Sequence, residues 1–333
     1  MPKKTVLPDA RVSPRFAGVA TFCRFPLLDQ VEPENAPVDW VVYGAPYDGG
    51  VTYRPGARFG PRAVREASQY VKPHHLEHGV TLTELLSVAD AGDAPVRPYS
   101  CRETQDTIAA WAVGLGQTGQ TSDPRVDAET KMLAIGGDHS IALANMRATW
   151  RRQGSPKGGL AVIHFDSHID TVDEIWGETH QHGSVFRRAF EEGIANPARM
   201  ISIGIKGPLN RADDLEYAIQ SGVRVITHTE WGADGPARLK DFLSEIAATD
   251  VYLSFDIDVV DPAYAPGTGT PSVGGFTSAE ILGILRSLAG VTVVGADVVE
   301  VLPDRDPVGV TALLAAHVGF EILCLDALRG REA

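Results

Sequence analysis

Three short runs in this 333-residue chain concentrate carboxylates and imidazoles at spacings that let them converge. The first is His164-Phe165-Asp166-Ser167-His168-Ile169-Asp170, in which Asp166, His168 and Asp170 occupy alternate positions. At the end of a strand alternate side chains point the same way, so two carboxylates and one imidazole face one spot. The second run, Ser254-Phe255-Asp256-Ile257-Asp258, repeats the pattern with Asp256 and Asp258. The third, Gly136-Gly137-Asp138-His139-Ser140, places His139 after a glycine pair that permits a sharp turn and close approach to a ligand. Taken singly, each run has a plainer reading as a helix cap, a solvated turn or a helix-start histidine. Together they bring four carboxylates and two imidazoles to three strand ends.

Gathering four carboxylates is costly unless cations neutralise them. Mixed carboxylate and imidazole donors suit Mn²⁺, Fe²⁺, Co²⁺, Ni²⁺ or Zn²⁺ rather than a thiolate site. The donor count fits two ions better than one. Shared carboxylates could bridge the ions, and a water between them would have a lowered pKa and become a hydroxide nucleophile. Two further residues suggest chemistry. His182, in Thr179-His180-Gln181-His182-Gly183-Ser184, is placed to shuttle a proton to a leaving amine. Glu300, in Asp297-Val298-Val299-Glu300-Val301-Leu302-Pro303, is placed to pair with a guanidinium through two parallel hydrogen bonds. For either residue alone, a surface or capping role is the commoner one. The cluster His74, His75 and His78 has no partner motif and reads as a solvated loop.

The elements that must position these groups are strands and helices in alternation. Apolar runs predict strands at 40–43, 132–135, 160–165, 200–203, 223–226, 251–255 and 291–294. Several are nearly continuous in Val, Ile, Leu and Ala, the pattern of strands buried on both faces of a parallel sheet. Helices are predicted over 61–69, 104–115, 142–152, 184–192 and 308–328. Another begins at Thr277, where Glu280 three residues on completes a capping-box pattern. Gly193 is a candidate C-cap. The expected fold class is α/β, a doubly wound, mostly parallel sheet with helices on both faces. The polar runs follow strands, and open α/β sheets bind ligands outside the carboxyl ends of their strands. Residues 1–37 are Pro-rich and read as an N-terminal arm, and 38–333 as a single catalytic domain.

Composition bounds the partners. The chain is 44% hydrophobic and 22% charged, with a formal net charge of −13. That balance disfavours nucleic acid and anionic membranes, which both need a basic footprint. Cys23, Cys101 and Cys324 are widely spaced, so neither a zinc ribbon nor a disulfide framework is expected. The N-terminus has no apolar core of signal-peptide length, and no uninterrupted apolar run reaches the length of a membrane span. A cytoplasmic location is the expectation.

The combination of motifs resembles the ureohydrolases: arginase, agmatinase, guanidinobutyrase, guanidinopropionase and proclavaminate amidinohydrolase. The resemblance starts at Gly44-Ala45-Pro46-Tyr47-Asp48 and RPGARFGPRAVREAS. It continues through GGDHS, HFDSHID, HGSVFRRAFEEG and SFDIDVVDPAYAPGTGTPSVGG, and ends with DVVEVLP and the last helix. It implies an arginase-like three-layer fold, two divalent metal ions per subunit and hydrolysis of a guanidino compound to urea and an amine. It further implies that His139, Asp166, Asp170 and Asp256 hold one ion and that Asp166, His168, Asp256 and Asp258 hold the other. Asp170 would also hold the bridging hydroxide, His182 would relay protons and Glu300 would orient the guanidinium. Mn²⁺ is the usual metal of such proteins, with Ni²⁺ the alternative. A trimer or hexamer of identical subunits is implied as well.

RPGARFGP, FRRA and APGTGTP place the resemblance nearer agmatinase and guanidinobutyrase than arginase. Ser167 and Ile169 depart from the usual residues at non-ligand positions, and Lys206 stands where many relatives have Arg. Residues 172–181 would face the substrate tail, with Asp173 and Trp176 as substrate-binding candidates. That loop carries both charges, so agmatine, 4-guanidinobutanoate, and free or N-alkylated guanidine all stay open. Two other classes remain: a non-catalytic homologue that binds a guanidino ligand, disfavoured by the intact donor set, and a single-zinc deacetylase of related fold, disfavoured by the paired aspartate motifs.

Overall fold

The computed structural model describes residues 5–115, 117–118, 121–122, 124–247 and 249–332. Residues 1–4 of the expected arm and residue 333 lie outside these. Strands β1 (Trp40–Ala45), β2 (Val88–Asp93), β3 (Lys131–Gly136), β4 (Leu160–Phe165), β5 (Ala195–Ile205), β6 (Arg224–Thr227), β7 (Val251–Asp256) and β8 (Val293–Val299) form one sheet. Their order is β6-β5-β4-β7-β8-β3-β1-β2. Every neighbouring pair is parallel. β1, β4, β7 and β8 are buried along their whole length, as near-continuous apolar runs require.

Helices cover both faces: α1 (Gly60–Ser68), α2 (Cys101–Gly114), α3 (Ile141–Arg152), α4 (Val185–Glu191), α5 (Glu216–Ser221), α6 (Gly235–Glu245), α7 (Ser278–Arg286) and α8 (Val310–Glu332). The period-two alternation of a strand decides which face each residue feeds. Trp40 and Val42 join a core with Val64 of α1, Phe242 of α6, Ile281 of α7 and Leu323 of α8. Val41 and Tyr43 join the opposite one, with Ile108 of α2 and Ala144 of α3. α3, α4 and α5 share a third cluster around Met146, Phe186 and Ala218. The result is the three-layer α/β/α arrangement that the sequence predicts.

The local signals act as expected. Thr277 accepts a hydrogen bond from Glu280 N, and the Glu280 side chain accepts one from Thr277 N at 2.8 Å. Such a cap stabilises a helix by about 1 kcal/mol. Gly193 takes φ 69° just past α4, a conformation glycine adopts without steric cost.

Four features depart from the sequence reading. β8 starts at Val293, not Val291, and runs on through Gly295 and Asp297 to Val299. Those two residues break the apolar run but fit the strand: a side chain at 295 would collide with Thr149, and Asp297 is buried and held by Ser254 and Tyr252. β2 escapes notice because its apolar start gives way to Asp90, whose charge is buried against Arg65 at 2.8 Å. The short α5 and the more polar α6 also go unpredicted. Finally, Val310–Arg329 is long and apolar enough to cross a membrane by length and composition, although Glu321 and Asp326 interrupt it. This stretch is mostly buried inside the fold, against α1 and α7.

Of the arm, residues 22–24, 28–30 and 33–35 form short 3₁₀ turns, and Phe22 and Phe25 enter the core. The three cysteines are free and buried, and burial pushes the Cys101 thiol up to about 12.

Candidate metal centre

The four strands β4, β7, β8 and β3 are consecutive in the sheet, and each ends at one of the polar runs. Paired registers keep their ends level: Phe165 lies opposite Phe255, and Ile135 opposite Val298. Gly137 lets the turn after β3 pass close to the backbone after β1, because a side chain there would strike the carbonyl oxygens of Tyr47 and Ala45. Two of the converging residues, Asp170 and Glu300, hold φ of 51° and 64°. Non-glycine residues seldom take that conformation, and its cost must be met by surrounding contacts.

The predicted donors meet. His139 Nδ1 lies 3.1 Å from Asp166 Oδ2, 2.9 Å from Asp170 Oδ2 and 3.4 Å from Asp256 Oδ2. His168 Nδ1 lies 3.3 Å from Asp166 Oδ1 and 3.1 Å from Asp258 Oδ2. Asp166 thus presents one oxygen to each histidine. His139, Asp166, Asp256 and Asp258 are buried, whereas the His168 side chain is 41% exposed and marks the open rim. Backbone amides fix the carboxylates: Asp166 Oδ1 accepts from His168 N at 2.6 Å, and Asp256 Oδ1 from Asp258 N at 2.8 Å.

The chemistry of this donor set fits cations. His139 Nε2 sits 2.9 Å from Ser254 Oγ, and Ser254 Oγ donates to Asp297 Oδ1 at 2.8 Å. Ser254 Oγ is therefore the acceptor, and His139 Nε2 carries a proton. Nδ1 faces three carboxylate oxygens with no hydrogen-bond partner among the described residues; burial opposes charge on the ring, but Asp166, Asp170 and Asp256 outweigh it and raise the imidazole well above its ordinary value. Three carboxylates turned on one buried imidazole need positive charge among them, which a ring proton or a bound metal cation would supply. Burial raises Asp256 well above the usual carboxylate range, and Asp258 and Asp166 add to the rise. Burial opposes charge on His168, yet Asp258 and Asp166 outweigh it and raise that imidazole. Both shifts express the same excess of negative charge.

Glu300 Oε1 accepts from His139 N at 2.9 Å and lies 3.0 Å from His182 Nδ1. Glu300 Oε2 is buried with no hydrogen-bond partner among the described residues. A side chain at Gly269 would come 3.6 Å from it, so the glycine leaves room beside the oxygen. His182 Nε2 accepts from Thr52 N at 3.1 Å, with Thr52 Oγ1 2.8 Å away. Burial disfavours charge on His182, but Glu300 outweighs it and raises the imidazole to about 9. The Thr52 N–H at Nε2 fits the neutral ring, whereas Glu300 favours the charged one.

The remaining two candidates have other surroundings. Asp173 is ion-paired to Arg187 at 3.1 Å and Arg188 at 2.6 Å. Trp176 is 83% exposed at φ 55°.

The sequence reading misses several supporting residues. His164 bridges Asp166 Oδ2 at 2.9 Å and Ser202 Oγ at 3.0 Å, and its ring packs on Phe186. It lies two residues before Asp166, so its alternation within the first run was the available signal. A buried chain runs from His139 through Ser254, Asp297, Tyr252 and Asn145 to Tyr43. No sequence spacing announces it, because its members come from β1, α3, β7 and β8. Lys206 reaches the Asp258 carbonyl at 2.7 Å and also contacts Ser167.

Comparison with known proteins identifies the family. The model of the arginase family matches residues 38–324. Proclavaminate amidinohydrolase of Streptomyces clavuligerus is 42% identical over 316 residues, covering 95% of each chain. Its solved structure superposes with a TM-score of 0.84 at 40% identity, covering 95% of this chain and 99% of that one. Guanidinopropionase of Pseudomonas aeruginosa is 41% identical, covering 95% of this chain and 94% of its own. The structure of a hypothetical agmatinase from Burkholderia thailandensis has a TM-score of 0.81 at 34% identity, covering 96% and 94%. The chain belongs to the arginase family, in its agmatinase- and guanidinobutyrase-like group, and is a hydrolase of C–N bonds in linear amidines that acts on guanidino compounds.

Proposed function

We propose that the chain is a binuclear amidinohydrolase that cleaves a small guanidino acid to urea and an amine. The observation that carries this reading is Asp166, whose two oxygens face two separate histidines within a cluster of buried carboxylates. His139, Asp166, Asp170 and Asp256 would hold one divalent ion, and His168, Asp166, Asp256 and Asp258 the other. Mn²⁺ is the first choice and Ni²⁺ the second for this donor set. Such ions supply Lewis-acid activation of water and stabilise developing negative charge.

The chain's own residues do the rest. Glu300 offers its unpartnered Oε2 to the guanidinium, which fixes the carbon relative to the carboxylate cluster. Asp170, held at positive φ beside His139, accepts a hydrogen bond from the attacking water. His182, oriented by Thr52 and Glu300, gives a proton to the leaving nitrogen as the C–N bond breaks. A new C–O bond forms as the water gives up both its protons, one restoring His182 and one passing to solvent; the amine leaves neutral and urea remains.

A carboxylate-tailed substrate is favoured over agmatine because Arg187 and Arg188 already engage Asp173, removing it as a counter-ion for a cationic tail. The relative named guanidinopropionase points the same way. Exposed Trp176 would close over the tail. The deciding experiment is urea release from 4-guanidinobutanoate, 3-guanidinopropanoate, agmatine and free or N-alkylated guanidine. A preference for agmatine would reject the tail assignment while leaving the chemistry intact.

A further inference from the structure

The loop at 72–81, which carries His74, His75 and His78, finds in the fold a partner 246 residues away from His75: Glu321 of α8. One ring nitrogen from each of His75 and His78 and one carboxylate oxygen of Glu321 all lie within 4.8 Å of one another. His75 and Glu321 are buried, and Nε2 of the first lies 2.8 Å from Oε2 of the second. His75 Nδ1 accepts the backbone N–H of His78 at 3.1 Å, which turns Nε2 toward the carboxylate. Arg286 Nε donates to Glu321 Oε1 at 2.8 Å, so Oε2 is the oxygen left to the histidines. His78 Nε2 is buried and has no hydrogen-bond partner among the described residues. A buried ring nitrogen without a partner is unfavourable, and a cation is one way to satisfy it.

We propose that His75, His78 and Glu321 form a further divalent-cation site, distinct from the carboxylate cluster and suited to Zn²⁺. Two imidazoles and one carboxylate with an open position are a donor set that zinc takes. A cleft of about 270 Å³ lined by His75 and Glu321 adjoins the cluster, and its walls include His74, Glu77 and His317. Arg286 pairs with both neighbouring carboxylates, Glu77 at 3.2 Å and Glu321 at 2.7 Å, so the ion would share Glu321 with it. Binding would displace the proton on His75 Nε2 to solvent. The ion would clip the loop to α8 and, through Arg286, to α7.

The test counts Zn²⁺ per subunit by mass spectrometry after loading with zinc alone. Wild-type protein, His78→Gln and Glu321→Gln are compared, each also in an Asp166→Asn background that cripples the carboxylate cluster. His78→Gln is expected to bind one equivalent fewer than wild type, to lose a zinc-dependent rise in Tm and to retain urea release. The Asp166→Asn protein is expected to keep an equivalent that adding His78→Gln removes, a result independent of the amidinohydrolase reading. Glu321→Gln binding one equivalent fewer would add support, and its unfolding would leave the His78 comparison decisive. Equal zinc counts with and without His78→Gln, in both backgrounds, would overturn the site.

Discussion

Glu300 holds His182 through a 3.0 Å contact between Oε1 and Nδ1, while its other oxygen stays buried and unpartnered. One carboxylate would therefore both orient the proposed proton donor and keep a free acceptor for the cationic substrate. Glu300→Gln removes the charge but not the shape. It is expected to lower kcat/KM about 100-fold, equivalent to roughly 2.7 kcal/mol of transition-state stabilisation, with much of the loss in KM. Steady-state urea release checks this, and wild-type constants would remove the assigned role.

Thr52 contacts His182 through both its backbone N–H and its hydroxyl. Thr52→Val takes away the hydroxyl 2.8 Å from Nε2 but keeps the backbone donor. A fall of about 10-fold in kcat with KM little changed is expected, within the usual range for proton-transfer groups. The same substitution should move the limb of the pH–rate profile that reports His182. An unshifted profile would show that Thr52 does not position the ring.

Asp166→Asn and His139→Ala each break the donor set at its centre. Metal content is expected to fall below the two ions proposed for the wild type, and urea release to fall about 1000-fold or more. Full metal content together with full turnover in either variant would sink the assignment of that residue.

Metal loss should also follow acidification. Burial and its carboxylate neighbours hold Asp256 well above the usual range, so this group takes up a proton sooner than an ordinary aspartate as pH falls. A protonated ligand competes with the ion. Chelation or mild acid should abolish turnover and lower Tm, and Mn²⁺ or Ni²⁺ should restore both at neutral pH. Thermal scans with and without metal, read beside activity, check this directly.

Trp176→Ala separates tail recognition from chemistry. The indole is 83% exposed, so Tm should not change. KM for a carboxylate-tailed guanidine should rise several-fold, as expected when an apolar contact is lost, while turnover of free guanidine stays the same. An equal effect on both substrates would place Trp176 outside tail binding.

Much of the donor set was legible before the fold because it lies in short runs, each placed by one strand end. Asp166, His168 and Asp170 announce themselves by alternation, and so do Asp256 and Asp258. Their convergence followed once the strands were taken as parallel. Contacts between distant segments were not legible. Thr52 reaches His182 across 130 residues, and Glu321 reaches His75 across 246. β2 and the end of β8 were hidden because their aspartates are buried with partners, Arg65 for Asp90 and Tyr252 with Ser254 for Asp297. A polar residue in a strand reads as a surface position until the residue that satisfies it is seen.

The central claim is tested most directly by urea release from the metal-reconstituted protein. Apo protein would be reloaded separately with Mn²⁺ and Ni²⁺ and given guanidino acids, agmatine, arginine and guanidines. The account predicts two ions bound per subunit, and urea and amine formed in equal amounts, fastest from a carboxylate-tailed guanidine. Two bound ions with no urea from any of these substrates would contradict it.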